Sequence, residues 1–527
     1  MIEEKYLIDD YDEFSKKVDF WCYKLQFYRN QKLVVSMEKS EELFAIMCAC
    51  VNLKITFILV DSSYPEERKK NIINKSEANV LIDNSYQIKY LRDFENSNNN
   101  IAYMIFTSGT TGNPKGIEIT YDNLKEFVYS ISNTINFENK TLISFTSVSF
   151  DIFILESLVA LYNHMKIVIL KDQYRRNPKK IIETIIDYNV DFIQCTPSSM
   201  KMIMNYSSEF LKRIKIILLG GEHLENDLLS KIKAFYEGEL YNMYGPSETT
   251  VWVTCKKIAS EINIGKPFSY NTEIFIVDKM NKKLPSGKLG EIVISGKSVG
   301  AGYYNNEALT SSKFKIFDNK PSFYSGDYGK IDKNGDLIIL GRIDDQIKIN
   351  GFRIEKSEIR GEILRISEVE EIEIYYDKIQ RQLIAYYVGK KYDNSYFIDF
   401  LNHRLPDYMI PNKFVNIPEF CFNNNGKLDI EQTNKKYAEG CGNNYIDNDI
   451  MELINLINSI GLVHIDKAIG EDLLSQYGVD SITMISILVE LTSKYKIDLD
   501  VYMDSISKIK TFNDLKKIMN EGIKAED

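Results

Sequence analysis

The segment that constrains this chain most is the run Thr107-Ser108-Gly109-Thr110-Thr111-Gly112-Asn113-Pro114-Lys115-Gly116, which follows directly on the apolar stretch AYMIF (102–106). Its hydroxyls, three glycines and single lysine suit a loop that wraps phosphate oxygens with backbone N–H groups, side-chain O–H groups and an ammonium. The spacing from Gly112 to Lys115 is too short for the GxxxxGK[ST] nucleotide loop, so that template does not apply. Taken alone, the segment also reads as a plain surface loop, and its company decides between the two.

At 527 residues the chain is too long for one compact core, and two or three domains are expected. A formal charge of -10, without a Lys/Arg cluster, argues against a nucleic-acid partner. No apolar run reaches the roughly 18 residues of a membrane span. The N-terminal MIEEKYLIDDYDEF is too acidic for a secretory signal, so a cytoplasmic location is expected. Cys22, Cys48, Cys50, Cys195, Cys255, Cys421 and Cys441 are scattered without paired CxxC spacing and read as reduced thiols rather than zinc ligands. His164, His223, His403 and His464 stand apart and offer neither a metal cluster nor a Ser/His pair.

Short β-branched runs, ITFILV (55–60), AYMIFT (102–107), KIVIL (166–170) and KIILLG (215–220), alternate with helix-like stretches such as EELFAIMCACVNL (41–53). The alternation predicts an α/β fold with largely parallel sheets. Beyond residue 270 the strands NTEIFIVD, GEIVISG and GDLIILG crowd together as a smaller β-rich part of the same unit. GRIDDQIKINGFRIEKSEIR (341–360) opens an α+β section whose strands EIEIYY (371–376) and LIAYYVG (383–389) flank a turn. KKYAEGCGNNYIDNDI (435–450) has linker composition, and NSNNN (96–100) reads as a loop. The tail is predicted all-helical, with amphipathic segments at 451–460, 481–495 and 511–519.

The phosphate-loop candidate is followed in order by Phe150-Asp151, Tyr244-Gly245-Pro246-Ser247-Glu248-Thr249, Ser325-Gly326-Asp327, Gly341-Arg342-Ile343-Asp344, Leu405-Pro406-Asp407-Tyr408-Met409-Ile410-Pro411 and Asn425-Gly426-Lys427-Leu428-Asp429. In this order and spacing the chain resembles the adenylate-forming enzymes, which include acyl-CoA synthetases and luciferases, and most closely the adenylation domains of nonribosomal peptide synthetases. The resemblance covers nearly all of residues 10–435. In the tail, Tyr477-Gly478-Val479-Asp480-Ser481-Ile482 resembles the attachment motif of acyl and peptidyl carrier domains. The implied architecture is an adenylation domain with a large α/β AMP-binding core (1–343) and a small mobile α+β lobe (344–437), a linker (438–447), and an all-α helical-bundle carrier domain (448–527).

Joining a carboxylate to ATP brings two anions together, so positive charge must screen them and hold the reacting oxygen in line with the α-phosphorus. By resemblance Lys427 is that catalytic cation, although a lysine after Asn-Gly is by itself an exposed turn residue. The resemblance implies that Thr107, Ser108, Gly109, Thr110, Thr111, Gly112 and Lys115 hold the phosphates of ATP, that Tyr244 stacks on adenine, and that Asp327 and Arg342 hold the ribose hydroxyls. It makes Glu248 the ligand of Mg2+ and Asp344 the hinge between the lobes. Without the family these are ordinary turn and salt-bridge residues. Ser481 would carry 4'-phosphopantetheine, a phosphate at a helix N-terminus being electrostatically favoured, whereas the bland reading makes Asp480 or Ser481 a helix cap.

The implied amino-acid pocket is Asp151, Ile152, Leu155, Gln194, Leu218, Gly220, Met243, Val251 and Trp252, with Lys427 at the substrate carboxylate. A carboxylate at Asp151 fits a substrate α-ammonium, since a buried unpaired charge is costly. The bulk of the rest resembles glycine-activating domains, and the same side chains also fit a plain hydrophobic core. The expected reaction is amino acid plus ATP to aminoacyl-AMP and pyrophosphate, followed by capture on the phosphopantetheine thiol. A phosphopantetheinyl transferase and a downstream condensation, tailoring or acyltransferase enzyme are the implied partners. The rivals are a ligase for D-alanine or another small acid, and a non-catalytic scaffold presenting the carrier. Phe153 for serine, Tyr121 for histidine, Ser325 for threonine and a shortened start depart from the family pattern and bear on catalytic proficiency.

Overall fold

A sheet whose strands are joined through helices is covered on both faces, and its strands become continuously apolar. Lys166–Ile169 and Phe192–Cys195 are buried except at Lys166, and the helix Glu41–Leu53, in which Leu43, Phe44, Ala45, Ile46, Met47, Ala49 and Cys50 are all buried, shares an apolar cluster with Ile167, Ile169 and Phe192. The computed structural model describes residues 6–93, 100–107, 114–259, 262–343, 346–349, 352–377, 382–421, 428–437, 448–460, 481–495 and 506–524, with isolated positions between 463 and 502.

Two large sheets form the core. The first runs Leu7–Ile8, Lys166–Ile169, Thr141–Ser144, Phe192–Cys195, Ile216–Gly220, Glu239–Tyr244, Thr254–Lys257. The second runs Gly302–Tyr303, Lys115–Thr120, Ile101–Thr107, Thr56–Leu59, Lys32–Ser36, Val80–Asp83, Ile88–Tyr90. Both are parallel in the middle, as the alternation predicts, and antiparallel at both edges. One of those antiparallel pairings matters for function. Ile101–Thr107 and Lys115–Thr120 are neighbours with Thr107 opposite Lys115, so the Ser108–Asn113 segment, which lies outside the described residues, joins two strands rather than a strand and a helix.

The crowded strands beyond residue 270 form an antiparallel sheet of Thr272–Val277, Gly290–Gly296, Lys320–Ile331 and Phe314–Phe317, with Leu337–Arg342 also paired to Lys320–Ile331. Next come the hairpin Gln346–Ile349/Phe352–Glu355, the helix Lys356–Ile363, and a sheet of Val369–Asp377, Gln382–Gly389 and Lys413–Asn416. These enclose their own core around Ile359, Ile374, Phe397 and Leu401. In the tail, Asn448–Ile460, Ser481–Tyr495 and Phe512–Lys524 are helices in mutual contact. Their apolar faces share one cluster with Met200, Met202 and Ile203 of the core helix Pro197–Tyr206, against which Ser481–Tyr495 packs. The linker 438–447, the turn at 378–381 and most of the NSNNN stretch lie outside the described residues. Among the described residues no helix is long and apolar enough to cross a membrane.

Candidate active site

A single cleft gathers most of the motifs, between the parallel sheets and the small lobe. Thr107 lines it where its strand gives way to the glycine-rich segment, and the Thr107 hydroxyl is buried with no hydrogen-bond partner among the described residues. Lys115, on the facing strand, is buried beside Glu248, at 3.7 Å, and Glu355, at 3.6 Å. Burial, with the nearby Arg353 charge, outweighs those carboxylates and pushes its ammonium down to about 8.

Glu248 is fully buried in the short turn Ser247–Thr249. Its Oε1 accepts from the Tyr303 hydroxyl at 2.8 Å and its Oε2 from Arg353 Nη1 at 2.7 Å. Burial opposes its charge, but Arg353 and Lys115 more than offset it and hold the carboxyl well below the usual carboxylate range. A carboxylate held ionised is an oxygen donor that fits a hard divalent cation. In the arrangement described here Arg353 and Lys115 occupy that carboxylate.

The side of the cleft formed by Tyr244, Asp327 and Arg342 is organised by pairing across strands. Asp327 and Arg342 sit opposite each other in the antiparallel sheet, and Arg342 Nη1 donates to Asp327 Oδ1 at 2.8 Å. The Tyr244 hydroxyl donates to Asp327 Oδ2 at 2.6 Å. The tyrosine expected to stack on a base is thus pinned through its hydroxyl, with burial first and Asp327 second raising its pKa well above normal. A carboxylate has about four lone-pair positions, so two bonds leave Asp327 able to accept from a diol.

Of the nine pocket residues named from sequence, Asp151, Ile152 and Trp252 face the cleft. Leu155, Gln194, Leu218, Gly220, Met243 and Val251 are not among the residues that line it. They lie behind the Trp252 ring, and all but Gln194 and Gly220 belong to the same apolar cluster as that ring. The physical reason is close packing at Gly220, where a Cβ would stand 2.5 Å from Trp252 Cη2 and 2.9 Å from Met243 Cβ. The turn before the ring holds it there. Thr250 and Val251 adopt φ of 63° and 66°, a left-handed pair that β-branched residues resist, and the Thr250 hydroxyl is tied to the Ser298 carbonyl at 2.8 Å. Gly245 is required by the same turn, because a Cβ there would meet the Val251 carbonyl at 2.4 Å.

Several functional residues were not named from sequence. Phe352 of the small-lobe hairpin stacks on Tyr408 at 3.7 Å and packs edge-on to Phe150 at 5.1 Å. Arg68 is buried against Glu358 at 2.8 Å, and Arg175 against Asp61 at 2.5 Å. Arg68, Arg175, Arg176, Arg342 and Arg353 all reach the cleft wall, a cationic lining suited to a polyanion. The signals present in sequence were the GFRIE and LPDYMIP stretches, which show composition but not reach. The departures are structural: Phe153 is buried against Phe44, and the Tyr121 hydroxyl donates to the Ile55 carbonyl at 3.2 Å. Ser108, Gly109, Thr110, Thr111, Gly112, Asp344 and Lys427 lie outside the described residues. The ends of the Lys427 segment meet, since Asp429 N–H donates to the Cys421 carbonyl at 2.8 Å. Ser481 is the first residue of its helix.

A cleft lined by Thr107, Tyr244, Asp327 and Arg342, with the hairpin Gln346–Ile349/Phe352–Glu355 over it, has the make-up of a nucleotide-dependent enzyme. Residues 85–304 match the family described as AMP-binding enzyme. The chain is 32% identical over 428 residues to the D-alanine–D-alanyl carrier protein ligase of Bacillus licheniformis, covering 72% of this chain and 84% of that protein. It is 28% identical over 439 residues to a dimodular nonribosomal peptide synthase of Bacillus subtilis, covering 76% of this chain and 18% of that protein, so it spans under a fifth of that relative's length. In fold it resembles holo-PA1221, described as a nonribosomal peptide synthetase protein containing adenylation and PCP domains, with a TM-score of 0.81, 19% identity and coverage of 97% and 92%. It also resembles the Vibrio cholerae adenylation domain AlmE, in complex with glycyl-adenosine-5'-phosphate, with a TM-score of 0.71, 18% identity and coverage of 81% and 92%. The chain belongs to the AMP-binding, adenylate-forming enzymes.

Proposed function

We propose that this chain activates a small amino acid, glycine before others, as its adenylate and passes it to a phosphopantetheine thiol on its own helical tail. The observation that carries the reading is the wall that lines the cleft with Asp151, where the Trp252 ring is packed against Gly220 so closely that no side chain would fit between them. Asp151 takes the ammonium of any amino acid, so selection falls to that wall. The glycyl adenylate held by AlmE supports the same choice.

In the first step a substrate carboxylate oxygen bonds to the α-phosphorus of ATP and the bond to pyrophosphate breaks. Lys427 supplies the charge that brings the two anions together. Thr107, Ser108, Gly109, Thr110, Thr111, Gly112 and Lys115 hold the phosphates, Tyr244, Asp327 and Arg342 the nucleoside, and Glu248 the side of the site suited to Mg2+. Asp344 lets the lobe 344–437 turn against the core 1–343. The phosphopantetheine arm, attached at Ser481 in a carrier segment 448–527, supplies the accepting thiol. PA1221, which aligns over 97% of this chain, is described as having both domains, and this supports the carrier reading.

D-alanine is the second reading, favoured by the 32% identity to the D-alanyl carrier protein ligase. ATP–pyrophosphate exchange over an amino-acid panel decides between them. Glycine should lead alanine by about ten- to a hundredfold, the discrimination available when a methyl group enters a packed site at roughly 1–3 kcal/mol. Turnover of D-alanine or leucine above glycine would overturn the glycine reading. Lys427→Ala should nearly abolish exchange while leaving the circular dichroism spectrum unchanged. Ser481→Ala should keep exchange and lose covalent loading, seen by intact-protein mass spectrometry after transferase treatment.

A further inference from the structure

Behind the pocket wall lies a carboxylate that is fully buried, Glu156, in the segment Leu155–Val159. Its Oε2 accepts from the Ser144 hydroxyl at 3.0 Å and from the Thr146 N–H at 3.1 Å. Its Oε1 accepts from the Thr146 hydroxyl and, at 3.5 Å, from Gln194 Nε2. Gln194 Nε2 also donates to the Ile152 carbonyl at 2.9 Å, and Gln194 Oε1 accepts the Trp252 indole N–H at 3.1 Å. Lys39, fully buried, donates to the carbonyls of Ser144 and Thr146 at 3.3 and 3.1 Å and anchors the residues that grip Glu156.

This chain of bonds has one consistent orientation. An indole N–H only donates, so Gln194 must turn its oxygen to Trp252. A backbone carbonyl only accepts, so Gln194 must turn its NH2 group to Ile152, which sets the same group against Glu156. The indole N–H and the Ile152 carbonyl set which way the amide faces, Glu156 backs that orientation with a third, longer contact, and the amide holds the edge of the ring that walls the pocket.

We infer that Glu156 is a positioning residue for amino-acid selectivity, acting through Gln194 on Trp252 without touching substrate. The inference deepens the proposed function and rests on it for the identity of the amino acid. In Glu156→Gln the Ser144 and Thr146 donors keep the amide oxygen at the Oε2 position, which turns the new NH2 group toward Gln194 Nε2. The two NH2 groups then oppose each other, Gln194 is pushed from its place between Ile152 and Trp252, and its hold on the indole N–H loosens.

The test measures the glycine-to-alanine ratio of kcat/KM in pyrophosphate exchange, with the 15N-indole resonances of Trp21 and Trp252, the two tryptophans of the chain. Glu156→Gln should lower the ratio about tenfold, through a lower KM for alanine with the glycine kcat within about twofold. The Trp252 indole resonance should move while that of Trp21 stays. Gln194→Leu, which leaves the carboxylate intact, should reproduce the fall in ratio and decides the matter if Glu156→Gln does not fold. An unchanged ratio with an unmoved Trp252 resonance overturns the inference. A wild-type chain that activates no glycine would overturn the proposed function instead, and the Trp252 resonance in Glu156→Gln would still decide whether Glu156 holds the ring.

Discussion

Lys115 is a cation kept in an environment that disfavours its charge. Its ammonium, pushed down to about 8, has opposite consequences for stability and for binding. Held below its unfolded value, it weakens the folded state at neutral pH, and this effect fades as pH climbs past about 8. Phosphate binding needs the charge, so affinity for a non-hydrolysable ATP analogue should fall between about pH 7 and 9, while Lys115→Met should be weaker at all pH and lack that slope. Isothermal titration calorimetry across the range checks this, and a flat wild-type profile would contradict it. Lys115 was legible in sequence because it belongs to a dense local motif. Arg353 was not, since the carboxylate it pairs with is Glu248, 105 residues away, and only the closed fold brings them together. Trp252 was legible as a bulky pocket residue. That its ring would hide Leu155, Leu218 and Met243 from the cleft depends on the turn at Thr250 and Val251, and propensity argues against that turn.

The hairpin Gln346–Ile349/Phe352–Glu355 is the element that closes the cleft, and two different forces hold it. Phe352 wedges between Phe150 and Tyr408, and Arg353 reaches the buried Glu248. Arg353→Met keeps most of the apolar stem but leaves Glu248 with Lys115 as its nearby cation. Removing one partner of a buried pair costs about 3–5 kcal/mol, and the lower end is expected here because Lys115 stays at 3.7 Å. Hydrogen exchange over 346–355 should accelerate in the variant, whereas exchange in the Pro197–Tyr206 helix should not change. Sequence reading placed the start of a new α+β section at 341–360, ahead of the strands at 371–376 and 383–389, without naming this hairpin. Its insertion into the cleft was not legible, because the apolar pattern of so short a hairpin does not say which neighbour it covers.

At the scale of the molecule, the helical tail and the small lobe are attached by different means. The tail helix Ser481–Tyr495 joins an apolar cluster with Pro197–Tyr206, and that same core helix lends Ser199 and Met202 to the cleft. Across the small-lobe contact the pairs are charged, with Arg68–Glu358 and Arg353–Glu248 buried and Arg365–Glu67 exposed. The alternation of strands and helices made the layers legible, but these long-range pairs carry no periodic signal. They also set the conditions for the swing proposed for the lobe. Opening the buried pairs strands charges in a low-dielectric interior, so departure amounts to an exchange of counter-ions: Arg68 needs an anion to replace Glu358, and Glu248 needs a cation to replace Arg353. An empty cleft offers neither, whereas a nucleotide polyphosphate with a divalent ion offers both. Hydrogen exchange at the hairpin should therefore rise when such a complex is added and stay low with adenosine alone. On this account the nucleotide brings with it the counter-ions against which the lobe lets go.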